Sequence, residues 1–169
     1  MQRMQVAALG LDGEQGQAVL LLQEAGQPRR VLPVWVGLPE AVAIERECRL
    51  DRAPRPPTHQ LIGDVVRALG RHVNEVRINE LRGGVFAAEL VLDKEATVSA
   101  RVSDAVALAV HLDVPIYAAD AVLEEAALAD VTASGTDDSA TRSPGDVVAD
   151  LEGLRRLLED ASPEDFGAD

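Results

Sequence analysis

A histidine, an arginine and two carboxylates stand at or just before the starts of three separate segments. Glu40 follows Gly37-Leu38-Pro39, His59 follows Arg55-Pro56-Pro57-Thr58, and Arg101 and Asp104 enclose Val102-Ser103. Helix starts present free N–H groups and positive potential, which suit a phosphate. Carboxylates can hold a divalent ion, an imidazole can move a proton, and guanidinium groups can take up phosphate charge. If the three segments converge, Glu40, His59 and Asp104 are the catalytic candidates, and Arg55 and Arg101 the phosphate clamps. Glu40 and Asp104, with Glu47 as a third, are candidate ligands for Mg²⁺ or Mn²⁺; no organic cofactor is expected. Glu40 and Glu47 are about two helical turns apart, roughly 10 Å along an axis. Ligands sit about 2 Å from Mg²⁺, so this pair needs a group such as Asp104 between them, and carboxylates more than about 12 Å apart cannot share an ion. Each residue also has a plainer reading: Glu40 and Asp104 stabilise helix ends, Asp104 pairs with Arg101, and His59 packs on a helix flank. Arg46, Arg49, Arg52 and Arg55 recur every three residues. They read either as ion pairs with Glu45, Glu47 and Asp51 or as a phosphate-contacting patch.

The element that must position these groups is the segment Arg101–Ala118. Ser103 has the chemistry of an N-cap, and Ala105, Val106, Ala107, Leu108, Ala109, Val110 and Leu112 place apolar groups on nearly every side. A helix apolar all round is buried. Its one polar stripe joins Asp104 to His111, two turns on, so the stripe opens onto whatever cleft the fold provides. Ahead of it, Gln2–Leu11, Gln17–Glu24 and Val31–Val36 read as strands. The run Ala18-Val19-Leu20-Leu21-Leu22 is continuously apolar and is expected to be covered on both faces. Pro33 puts the third strand at an edge, and Trp35 reads as a core anchor. A helix follows to about Leu50, with Ala41, Ile44 and Cys48 on one face. Thr58 is expected to cap the next helix, with Leu61, Ile62, Val65, Val66 and Leu69 on one face and Gly70 as its stop. Val73–Arg82, Gly84–Leu92 and Ala96–Arg101 read as strands, the first two joined at Gly83-Gly84. Ile116–Ala118 is a short strand, and a last helix covers about Ala121–Leu128.

The expected fold is therefore α+β, one domain of mostly antiparallel strands packed with helices around a buried helix at about 103–112. The domain spans about 1–130. A linker rich in Thr, Ser, Asp and Gly follows at 131–145, and an acidic amphipathic helix and tail at 146–169. The chain has 169 residues, enough for a real core. Cys48 is alone, which excludes an internal disulfide, and no apolar run approaches the roughly 20 residues of a membrane span. With no signal-peptide pattern, a cytoplasmic location is expected. The formal net charge is −13, but 14 of the 29 acids and only 3 of the 16 bases lie in residues 120–169. The body is near neutral, so weak, salt-sensitive DNA or RNA binding is compatible with it. An edge strand and a detached amphipathic segment point to a homo-oligomer, a dimer.

Three stretches together resemble the bifunctional nuclease (BFN) domain family of bacteria and plants. They are Leu32-Pro33-Val34-Trp35-Val36-Gly37 leading into Glu40-Ala41, then Arg55-Pro56-Pro57-Thr58-His59, then Ala100–Ala109 with Pro115-Ile116-Tyr117. The resemblance covers about Met4–Leu128. It implies an α+β domain and a nuclease acting on both DNA and RNA. The chain departs at Val102, where the family usually has proline, and no UvrB-like helical segment is evident after Ser143. The tail from Pro144 to Phe166 is similar to the ending of actinobacterial members. Two functions stay open at this point. One is phosphodiester hydrolysis, possible with metal assistance. The other is a non-enzymatic regulatory or ligand-binding oligomeric module, in which the same residues form an internal ion-pair network.

Overall fold

The computed structural model describes residues 1–11, 18–27, 29–49 and 54–128. The linker and amphipathic segment expected at 131–145 and 146–169 lie outside the described residues, as do the first turn at 12–17 and Arg52. Among the described residues seven strands form one sheet: β1 (Gln2–Leu11), β2 (Ala18–Glu24), β3 (Val31–Val36), β4 (Val73–Arg82), β5 (Val85–Leu92), β6 (Thr97–Arg101) and β7 (Ile116–Ala118). Four α-helices among the described residues accompany them: α1 (Leu38–Cys48), α2 (Thr58–Ala68), α3 (Val102–Leu112) and α4 (Asp120–Ala126). None of these helices is long and apolar enough to cross a membrane.

The strand order is β3-β2-β1-β7-β4-β5-β6. Every neighbouring pair is antiparallel except β4 and β7, which run parallel, so the sheet is mixed. The hairpins are local and legible: Gly83 and Gly84 both take positive φ, the turn that matches strand twist. The insertion of β7 between β1 and β4 is not local. It closes the two antiparallel blocks, β3-β2-β1 and β4-β5-β6, into one sheet.

β2 is covered on both faces, as its apolar run requires. Ala18, Leu20 and Leu22 enter the main core, whereas Val19 and Leu21 pack with Val31 and Trp35 on the other face. Trp35 is half-buried there, and its indole N–H has no acceptor among the described residues. A buried ion pair pins the β2–β3 turn, where Glu24 accepts from the Arg30 guanidinium at 2.8 and 3.0 Å.

α3 lies against β4, β5 and β6, with α1 and α2 packed on it. Its residues Val102, Ser103, Ala105, Val106, Ala107, Leu108 and Ala109 are buried. The helix begins one residue before the expected start. Arg101, the last residue of β6, occupies the cap position and no side chain caps the helix, so Ser103 is not its N-cap. Strand runs directly into helix, and the buried side chain of Val102 fixes the first turn by packing. Thr58 is likewise the first helical residue of α2 rather than its cap, because the extended Pro57 precedes it without a side-chain bond. At the other end of α3, Asp113 takes a left-handed conformation, one that Asp tolerates, and turns the chain into β7.

Candidate active site

α1 and α3 run in step. Residues two turns apart on one helix meet residues two turns apart on the other, giving two polar layers between the helices.

The first layer is at the helix starts. Arg101 donates from Nε to Asp104 Oδ2 at 2.8 Å and from Nη2 to Oδ1 at 3.2 Å, a two-toothed pair. Its Nη1 donates to Glu40 Oε1 at 2.9 Å. His59, from the first turn of α2, brings Nε2 to 3.1 Å from Asp104 Oδ1. Thus α1, α2 and the β6–α3 junction each supply one corner, and Glu40, His59, Arg101 and Asp104 form a single cluster. Residue 37 is glycine, and a Cβ there would meet the Glu40 carboxylate and oblige that flexible side chain to shift.

Burial pushes the Asp104 carboxyl up, but the hydrogen bonds from Arg101 and His59 outweigh it and hold it below the ordinary range. The same bonds to Asp104, and then to Glu40, push the Arg101 guanidinium up. An ionised carboxylate only accepts hydrogen bonds, so the proton between His59 and Asp104 belongs to Nε2. In neutral His59 that leaves Nδ1 bare as a proton acceptor. Arg101 remains 67% exposed despite three bonds, so its outer surface faces solvent.

The second layer lies two turns deeper. Glu47 is 4% exposed and holds His111 Nδ1 at 3.1 Å through Oε2. The same oxygen accepts from Gln60 Nε2 at 3.1 Å. Glu47 therefore does not join the Asp104 cluster. Gln60 carries no signal in the sequence, lying beside His59 without any pattern of its own. The seven-residue spacings, Glu40 to Glu47 and Asp104 to His111, match, but the pattern alone does not pair Glu47 with His111, 64 residues away.

Arg55 stands exposed on the turn into α2, and no hydrogen bond or ion pair among the described residues ties it to the cluster. Arg49 pairs with Glu45 along α1. Cys48 is half-buried, and burial, with Glu47 and Glu45 nearby, pushes its thiol up, away from the reactive thiolate.

Glu40 and Asp104 bond one guanidinium, so their carboxylates are close enough to address a common ligand. Arg101 nevertheless occupies the space between them. Among the described residues no three His, Cys, Asp or Glu side chains are arranged to hold one metal ion. With Arg101 bonded to both carboxylates, the expected Glu40–Asp104 pair does not present a ready ligand set for Mg²⁺ or Mn²⁺.

Residues 19–130 match the family model described as the bifunctional nuclease domain. Two relatives, the uncharacterized proteins MT1877 and Rv1829 of Mycobacterium tuberculosis strains CDC 1551 / Oshkosh and H37Rv, are each 41% identical over 168 residues, covering 99% of both chains. The match to these relatives thus continues past residue 130.

Proposed function

The chain belongs to the bifunctional nuclease domain family, and from that premise we propose that it hydrolyses phosphodiester bonds of DNA and RNA at the Glu40–His59–Arg101–Asp104 cluster. The observation that carries this reading is the His59–Asp104 bond set beside a solvent-facing guanidinium. Asp104 orients the imidazole and fixes its proton on Nε2, leaving Nδ1 to accept a proton from an attacking water. Arg101 supplies charge where the phosphate oxygens grow more negative, and Glu40 holds the guanidinium from its other side. Arg55, on the turn before α2, extends the positive surface along a strand of substrate.

The test is turnover of single-stranded DNA and RNA by the purified protein, with Mn²⁺, with Mg²⁺ and with chelator. His59→Ala is expected to lower the rate about 10²–10⁴-fold, the usual worth of a positioned base, with the fold intact. Asp104→Asn and Arg101→Gln are expected to lower it as well. Folded variants that cleave as fast as wild type would remove these roles. A second reading, a non-enzymatic binding module, draws on one observation: the Arg101 guanidinium is already bonded to both carboxylates. Wild type that binds nucleic acid or a small anion without cleaving under any of the three conditions would favour it.

A further inference from the structure

α2 is held by few apolar contacts. Its buried residue is Gly63, Val66 is partly buried against the core, and Leu61, Val65 and Leu69 turn outward and are exposed. Its position therefore depends on polar bonds. Among the described residues two side chains of α2 bond to neighbouring helices: His59 to Asp104 of α3, and Gln60 to Glu47 of α1. They are successive residues, about 100° apart round the helix. Two bonds at that angle fix the rotation of α2, where one alone would leave it free to turn. Glu47 is itself tied to α3. It is 4% exposed, and the Oε2 that accepts from Gln60 also lies 3.1 Å from His111 Nδ1. A buried carboxylate is costly to leave without donors, so it stays where both partners reach it. Asp104 and His111 are two turns apart on α3, roughly 10 Å along its axis. His59, Gln60 and Glu47 thus complete a loop that leaves α3 at Asp104 and returns to it at His111.

We propose that Gln60 and Glu47 are positioning residues for His59, holding its imidazole on Asp104 through the placement of α2. His59 lies in the first turn of the helix, where helices fray. A group that does chemistry must be held within about 0.5 Å and 10–20° of its productive geometry. The Gln60–Glu47 bond supplies that constraint from the very next residue. Glu47 is too buried to meet a nucleic-acid strand and acts through Gln60. Their part in the reaction rests on the reading of His59 as its base; the alignment of the ring does not.

Two readouts on the full chain test the proposal. In Gln60→Met the side chain keeps its length and loses its donor, while Glu47 keeps His111. In Gln60→Lys a donor is restored. Val19→Ala controls for a general loss of stability, because Val19 is fully buried in the small cluster on the opposite face of the sheet. Proton NMR of the chain with ¹⁵N-labelled histidine reads the His59 Nε2–H, whose bond to Asp104 slows its exchange with water. The signal is expected in wild type, Val19→Ala and Gln60→Lys, and is expected to vanish in Gln60→Met. Turnover of single-stranded DNA should follow the same ranking, with kcat about tenfold lower in Gln60→Met, KM within about twofold, and kcat recovered in Gln60→Lys. Wild type without a protected His59 ring proton would overturn the proposal. So would a Gln60→Met chain that loses stability but keeps the ring proton and kcat, a Gln60→Lys chain as impaired as Gln60→Met, or loss of the signal in Val19→Ala. If wild type cleaves nothing, the ring proton alone decides: its loss in Gln60→Met still supports the positioning, and only the nuclease reading falls.

Discussion

Asp104 is the residue on which the site turns, because it accepts from both Arg101 and His59. Its carboxyl is held below the ordinary value of 3.8, so the folded state binds that proton less readily than the unfolded chain. Stability from this source is fully present above the unfolded value and is lost as pH falls through the lower, folded one. Asp104→Asn removes the titration. The gap between wild-type and variant urea midpoints is expected to be constant near neutrality and to close in strong acid. A gap that widens as pH falls would mean that the pairing does not favour the ionised form. Glu24 is held low in the same way by Arg30, so it belongs to the same acid limb and is common to both proteins.

At the scale of elements, the site depends on how closely α2 approaches α3. Gly63 sets that distance, with His111 and Leu112 already near the position of any Cβ. Gly63→Val would be expected to improve helix propensity but to overpack this contact. Overpacking a tight contact costs about 1–3 kcal/mol, more than the propensity gain in most of that range. Denaturant titration should therefore show net destabilisation, and the ring signals of His59 and His111 should shift together as α2 is pushed outward. Unchanged stability with unchanged ring signals would show that α2 is not gauged by this glycine. The β6–α3 junction works differently. It has no side-chain cap, and the burial of Val102 and the Arg101–Asp104 pair hold the first turn instead.

For the whole molecule, charge is divided between a near-neutral body and an acidic end. Truncation after Leu128 removes an excess of acids and is expected to strengthen binding of single-stranded DNA severalfold at low salt. The gain should fade as salt screens it, with a Debye length of about 8 Å at physiological ionic strength. Fluorescence anisotropy across a salt series measures this. Equal or weaker binding by a folded truncated chain would show that the acidic end does not oppose nucleic acid.

Sequence by itself determined the kind and order of the elements. The bounds of β1, β3, β4 and β7 coincide with their periodic or apolar runs, and the Gly83-Gly84 turn follows from backbone freedom that no distant contact alters. It also marked Glu40, His59, Arg101 and Asp104, because each lies at or beside a helix start. Only the tertiary structure decided which carboxylate met which histidine. His59 bonds Asp104 across 45 residues, and His111 bonds Glu47 across 64, separations over which local pattern carries no register. It likewise moved the starts of α2 and α3 away from the expected caps, since packing of Val102 and the extended Pro57 outweighed hydroxyl chemistry at Ser103 and Thr58. The outward turn of α2 has the same origin. A 3.6-residue period shows that an apolar stripe exists, but which way it faces is settled by what approaches the helix, and here α3 approaches at Gly63.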